Sequence, residues 1–352
     1  MATLYLIEQN TILRKTSDRL RLCRMRTPGE RKSHVTQGEV LLEIPCADID
    51  QVMIFGNVQV TTQSLQELLQ HGIELAIFTR SAKLMGQLTP PKTKNIFLRM
   101  DQFQRQQDNQ FCLKISKTFV KRKIESMLSI VKRHQKYNPD TFSLQEIKQL
   151  ENFITQANKA NSNNSLLGIE GSATALYFQF FSRMLKPPWK FEGRTRRPPK
   201  DPVNAVLSFG YVVVGSEIQS LLDGIGFDPF LGFYHVVEYG RPSLALDVLE
   251  EFRHSLVDRL ALNLFNLGIC KENDFDKFPK GSVYLGLEGK KKFFAQYEKM
   301  MGEYASDTDT ADKQFGFRKQ IQNRIAELAR MIRSDQRLVM VKEPVGEDFD
   351  SF

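Results

Sequence analysis

Seven residues, TPPKTKN at 89–95, separate two stretches of chain with different hydrophobic periods. Before them, apolar residues come in short runs broken by turn residues: ATLYLIE, RLRLCRMR, EVLLEIPCADIDQVMIFG, IELAIFTR and KLMGQL. Runs of this kind read as strands. One exception, TTQSLQELLQHG, reads as a short helix with Thr62 or Ser64 as cap and Gly72 as its end. After the proline pair the period lengthens. Phe111, Ile115, Phe119, Ile124, Leu128 and Val131 mark one face of a long helix. SLQEIKQLENFITQANKA adds a second, with Ser143 as N-cap and Glu146 at the capping-box position. Further helices are expected in LLGIEGSATALYFQFFSRML, VNAVLSFGYVVVGSEIQSLLDGIG, LALDVLEEFRHSLVDRLALNLFNLG and QFGFRKQIQNRIAELARMIR. A strand period and a helix period cannot share an element. The expectation is therefore an α+β protein of two domains: a small, mostly antiparallel N-terminal β domain over 1–88, a linker over 89–100, an all-α catalytic domain over 101–335 and a flexible tail over 336–352.

Forty-nine Lys and Arg face forty-one Asp and Glu, a net charge of +8. A basic protein of this size suits a polyanion, and nucleic acid is the commonest. The four cysteines, Cys23, Cys46, Cys112 and Cys270, form no C-x-x-C and no zinc spacing, so reduced structural thiols are expected. No apolar leader opens the chain and no apolar run approaches a bilayer's thickness, so a cytoplasmic protein with no membrane contact is expected. The acidic stretch ASDTDTAD at 305–312 reads as a mobile loop.

The residues 232–253, GFYHVVEYGRPSLALDVLEEFR, carry the most chemistry. If 243–260 is a helix capped by Ser243, Asp247 and Glu250 share a face, as do Asp247 and Glu251. The apolar face runs through Leu246, Leu249, Phe252 and Leu256, so the acids lie at its edge. One reading is a solvated acidic face, with Glu250 or Glu251 paired to Arg253 or Arg259. A second isolated acid, Glu170, sits between Gly168 and Gly171. It reads either as dipole complementation at a helix start or as a carboxylate that a ligand can approach closely past the glycines. His235 reads either as a core imidazole or as a ligand. Together, Glu170, His235 and a carboxylate from 247–251 would make a small Mg²⁺ or Mn²⁺ site of the kind used in phosphodiester chemistry.

Four motifs in order, GIEGSATALYF, RRPPKDPVNAVLSFGY, GFDPFLGFYH and GRPSLALDVLEEFRHSLVDRL, resemble the CRISPR adaptation integrase family, in its larger, spacer-inserting subunit. The likeness extends to VTTQSLQELLQHGIELAIF and covers nearly the whole chain. The resemblance implies that the catalytic and metal-holding set is Glu170, His235 and Glu250, with Asp247 as a supporting acid. It implies an active enzyme, a homodimer built by the β domain, and a larger assembly with a small CRISPR adaptation subunit around a short DNA duplex; with the domains above filling the chain, no fused polymerase segment is expected. The implied reaction joins a DNA 3′-hydroxyl to a phosphate at a repeat edge, with nuclease activity at the same centre. A plain metal-dependent nuclease and a basic, non-catalytic DNA scaffold are the alternatives.

KPPWKFEGRTRRPPK at 186–200 reads as an extended phosphate-tracking loop bearing Lys190, Arg194, Arg196, Arg197 and Lys200, with Trp189 free to stack on a base. Lys117, Lys121, Arg122 and Lys123 read either as a DNA-facing or as a solubilising helix face. Arg241 is a candidate phosphate contact, or a partner for Asp247 or Glu238.

Overall fold

The structure is a computed structural model and describes residues 3–25, 39–90, 95–279, 281–302 and 315–333. The expected acidic loop at 305–312 and the tail at 336–352 lie outside the described residues. The β region contains β1 (Thr3–Leu6), β2 (Thr11–Thr16), β3 (Arg19–Arg24), β4 (Val40–Pro45), β5 (Gln51–Phe55), β6 (Val58–Val60), α1 (Thr62–Gln70), β7 (Glu74–Phe78) and β8 (Leu84–Leu88). Two four-stranded sheets result, ordered β4-β3-β2-β6 and β1-β5-β7-β8.

The sheets are mixed rather than mostly antiparallel, which corrects the sequence expectation. β2–β3, β3–β4 and β7–β8 are antiparallel, but β1–β5, β5–β7 and β2–β6 are parallel. For β5–β7 the physical reason is α1. A helical crossover carries the chain back to the start of the sheet, so β7 enters alongside β5 in the same direction. Thr61 caps that helix, its side chain accepting from the Ser64 amide, in place of Thr62 or Ser64.

β5 is buried along its whole length. Its alternating side chains feed two cores: Val52 and Ile54 join Leu6, Leu13 and Leu20 between the sheets, while Met53 and Phe55 join the helical core. Phe55 stacks on Phe78 with centroids 4.7 Å apart and leans on Phe209 at 5.5 Å and Phe294 at 5.6 Å. A strand covered on both faces reads as a continuous apolar run, which is how QVMIF appears in sequence.

The helical region contains α2 (Ile96–Gln106), α3 (Asn109–Tyr137), α4 (Leu144–Lys159), α5 (Asn163–Met184), α6 (Pro202–Ile225), α7 (Ser243–Phe252), α8 (Arg259–Asn266), α9 (Leu287–Gly302) and α10 (Phe317–Ile332). α2 begins at Ile96, so the last five residues of the expected 89–100 linker are helical. A short antiparallel ribbon, β9 (Phe275–Lys277) with β10 (Val283–Leu285), interrupts the all-α expectation. Local sequence sets several boundaries. Asp108 caps α3, accepting from the Gln110 and Phe111 amides. Ser143 and Glu146 form the expected reciprocal capping box of α4. Asp201 caps α6 ahead of Pro202, and Gly226, at φ 108°, ends it in the left-handed region. α6 is the one helix among the described residues long and apolar enough to cross a membrane, contrary to the sequence expectation, but 67% of its apolar window is buried inside the fold.

α3 is the spine of the region, packing against α4, α5 and α7. α7 and α8 are one continuous helical rod joined by a π-helical turn over Arg253–Asp258. Ser243 is the first helical residue, with no side-chain cap bond; its hydroxyl donates instead to the Val236 carbonyl at 2.9 Å.

Candidate metal centre where three helices meet

α7 carries three acids, and all three are buried: Asp247 is 0% exposed, Glu250 4% and Glu251 7%. The face is therefore not solvated, because the helix is sandwiched between α3 and α6, although the Glu250–Arg253 pair of that reading is present. A buried carboxylate must find donors, and each of the three finds a different set.

Asp247 holds the 227–242 loop. Its Oδ2 accepts from the Phe233 amide at 2.7 Å and the Tyr234 amide at 3.0 Å. Its Oδ1 accepts from the His235 amide at 2.8 Å and lies 2.7 Å from His235 Nδ1. A carboxylate at Nδ1 places the proton there and leaves Nε2 with its lone pair. Gly232 permits this closeness. A Cβ there would sit 2.7 Å from Ser243 Cβ and 2.9 Å from Asp247 Oδ2.

Glu250 faces α3 and α5. Its Oε2 lies 2.6 Å from Lys123 Nζ and its Oε1 lies 3.1 Å from Arg253 Nη2. Lys123 Nζ also pairs with Glu170 Oε1, which in turn accepts from Thr174 Oγ1 at 2.9 Å. Burial alone would raise the Glu250 carboxyl, but the Arg253 and Lys123 charges beside it hold it well below the usual carboxylate range. Glu170 stands in the third turn of α5, because that helix begins at Asn163, so dipole complementation does not describe it. Nothing lies within 4 Å of a Cβ built on Gly168 or Gly171; the glycines leave the approach to Glu170 open.

Glu251 points the other way. It accepts from Arg324 Nε at 2.8 Å and from Arg122 Nη1 at 3.2 Å, and Arg122 also holds Glu327. Here burial outweighs both guanidiniums, and the carboxyl is pushed up.

Behind Glu250 the π-helical turn carries a second polar chain. The Arg253 guanidinium lies over the Tyr211 ring at 4.7 Å. Tyr211 Oη donates to Asp258 Oδ1 at 2.5 Å, and Asp258 Oδ2 lies 2.7 Å from His254 Nδ1. π-helical turns concentrate at functional sites.

Of the residues singled out from sequence, Glu170 and Glu250 meet through Lys123, and His235 meets Asp247. His235 does not close to within 4.8 Å ligand spacing with both glutamates; among the described residues, the Cys/Glu/His group at that spacing is Cys46, Glu67 and His71 in the β region. Cys46 is core-buried there, and Glu67 is already paired with Lys15. All four cysteines are free and buried, as expected.

In the 186–200 loop, Lys190, Arg196, Arg197 and Lys200 are exposed. Arg194 turns inward, donating to Asn204 Oδ1 at 2.6 Å and lying over Tyr211 at 5.2 Å. Trp189 packs on Phe265 at 4.7 Å, so it is not the free stacking platform expected. Arg241 pairs with Glu238 at 3.4 Å.

Sequence reasoning offers Arg253 as a partner for Glu250 and places Lys123 on a basic helix face, but misses Lys123 as a buried partner of both glutamates and misses Tyr211 and Asp258 altogether. For Lys123 a signal existed: it sits four residues after Phe119 and four before Met127, on the buried stripe of α3. A charge at an apolar position of a helix needs a buried partner.

Residues 4–299 match the family model described as CRISPR associated protein Cas1. A protein named CRISPR-associated endonuclease Cas1 1, from Thermodesulfovibrio yellowstonii, is 38% identical over 78% of this chain and 87% of its own length. The fold resembles a casposase bound to integration product, with TM-score 0.82 and 21% identity over 94% of this chain and 90% of that one. A chain of a Cas6-RT-Cas1–Cas2 complex superposes with TM-score 0.75 and 25% identity, over 94% of this chain and 35% of that one. The chain belongs to the CRISPR-associated Cas1 family.

Proposed function

We propose that this chain is a metal-dependent DNA integrase and endonuclease of CRISPR adaptation. The observation that carries the reading is the convergence of Glu170 from α5 and Glu250 from α7 on one buried cation, beside an imidazole locked by Asp247. The donors suit a hard divalent ion, Mg²⁺ or Mn²⁺: two carboxylates and a neutral imidazole nitrogen. Glu250 Oε2 is held by the Lys123 ammonium, and Tyr234 Oη is buried without a hydrogen-bond partner among the described residues. Glu170, His235 and Glu250 would hold the ion; when bound, it supplies charge stabilisation at a phosphate and orients an attacking oxygen.

The chain's own residues set this up. Asp247 fixes the His235 tautomer and aims Nε2 away from itself. Arg253 keeps Glu250 ionised. Lys190, Arg196, Arg197 and Lys200 supply exposed positive charge for a DNA backbone. In the reaction, the fragment's 3′-oxygen forms a new bond to a phosphorus at the repeat edge. The existing P–O3′ bond breaks, and the departing oxygen takes up the proton that the attacking hydroxyl gave. One phosphodiester replaces another, so no ATP enters. With water as attacker the same centre cuts DNA.

The Cas6-RT-Cas1–Cas2 likeness supports a small adaptation subunit as partner, and the β region over 1–88 is proposed as the homodimer contact. The test incubates purified protein with a labelled DNA fragment and a repeat-containing plasmid, in Mn²⁺ and then in EDTA. Joined product in Mn²⁺ alone, absent with Glu170→Ala, is expected. Equal joining with chelator or with that variant would overturn the reading; cleavage without joining would favour a plain nuclease.

A further inference from the structure

Lys123 is the member of this cluster that the proposed reaction does not use. It is 2% exposed, and its ammonium pairs with carboxylates from two other helices, Glu170 and Glu250. Burying an ammonium is unfavourable unless charge compensates it. Two carboxylates brought together in a nearly dry site likewise repel unless a cation separates them. Each requirement answers the other, so the metal-free centre is internally neutralised. An ammonium and a divalent ion are then alternatives for the space between the same two carboxylates.

We infer that Lys123 is an internal counter-ion: it holds Glu170 and Glu250 in place before metal arrives and withdraws when a divalent ion enters. This rests on the reading of Glu170, His235 and Glu250 as the metal-holding set. Lys123 is thus a positioning residue that sets how much divalent ion is needed to load the centre. Arg253 stays on the other oxygen of Glu250 throughout, so removing Lys123 does not leave Glu250 without a cation.

The test measures Mn²⁺ binding to the whole protein by calorimetry and by loss of the free-ion EPR signal, together with thermal unfolding in EDTA and in Mn²⁺. For Lys123→Met, Mn²⁺ binding tightens by about tenfold or more, because a competing positive charge is gone. The metal-free Tm falls, and the rise on adding Mn²⁺ grows. Lys123→Arg keeps the charge and binds Mn²⁺ no more tightly than the unaltered protein. If Lys123→Met does not fold, Lys123→Gln takes its place in the same measurements. Binding that is unchanged or weaker in the neutral variant overturns the inference. Glu170→Gln separates the two levels. Lost Mn²⁺ binding there, without tightening in the Lys123 variant, removes the counter-ion role alone. Unchanged binding in Glu170→Gln removes the metal-holding assignment and this inference with it.

Discussion

Glu250 and Glu251 are neighbours on α7, both almost fully buried, and each is paired with two cations. Their surroundings nevertheless differ in kind. Both Glu251 oxygens accept from guanidiniums, and both of those guanidiniums are shared with Glu327. That cluster ties α3, α7 and α10 together, with its carboxylates held by guanidiniums. Glu250 faces a second carboxylate across an ammonium, and a locked imidazole stands nearby. The architectural cluster brackets its carboxylates with guanidiniums. The one proposed for chemistry sets two carboxylates from different helices against a shared ammonium.

The sharpest way to break this comparison is to neutralise Glu170 as Gln. DNA joining and cutting are expected to fall on the order of 10³-fold, about 4 kcal/mol of barrier, while the EDTA-state Tm moves little because Lys123 keeps Glu250 as its partner. A Tm collapse would place Glu170 with Glu251 instead. Next in size, Glu251→Gln leaves Arg324 and Arg122 short of a partner in a dry site. It is expected to destabilise by about 3 kcal/mol in denaturant unfolding, with activity per folded molecule retained. An activity loss with unaltered stability would erase the contrast.

Asp247→Asn is expected to lower divalent-ion affinity by about 10- to 100-fold, because the amide cannot accept at both of its heavy atoms. Calorimetry reads the effect, and unchanged affinity would detach Asp247 from the centre. The smallest effect sharpens the architectural side. Hydrogen bonds from Arg183 and Ser143 lower the Glu146 carboxyl to about 2. Its folded pKa lies below the unfolded one, so its stabilisation is present above about pH 4.5 and is lost as pH falls toward 2. Glu146→Gln, on a partly exposed cap, is expected to change stability by about 0.5–1 kcal/mol at pH 7. Near pH 2 the two proteins should unfold alike.

Features that depend on local chemistry were legible in the sequence. The Ser143–Glu146 box needs only residues three apart, and the helical periods of α3 and α10 need only their own apolar stripes. Glu170, His235 and an acid among 247–251 were likewise readable as candidates, because isolated acids amid apolar residues demand an explanation; the choice of Glu250 among those acids came from the family resemblance. Strand direction was not readable, since β7 alongside β5 depends on where α1 returns the chain. Nor were the partners of charged side chains. Lys123 reads as solvent-facing until two glutamates from other helices are brought to it, and Arg194 reads as DNA-facing until Asn204 and Tyr211 turn it inward. Charge in sequence gives a sign; only tertiary structure supplies the address.

β5 has no side that belongs to solvent, and its residues are divided between two interiors. The consequence concerns modularity. A backbone cut between Pro90 and Asn95 would yield two fragments, each missing part of its own filling: the first would expose Met53 and Phe55, the second Phe209 and Phe294. Such fragments should co-purify and be hard to produce singly, and the β region should resist being grafted onto an unrelated partner.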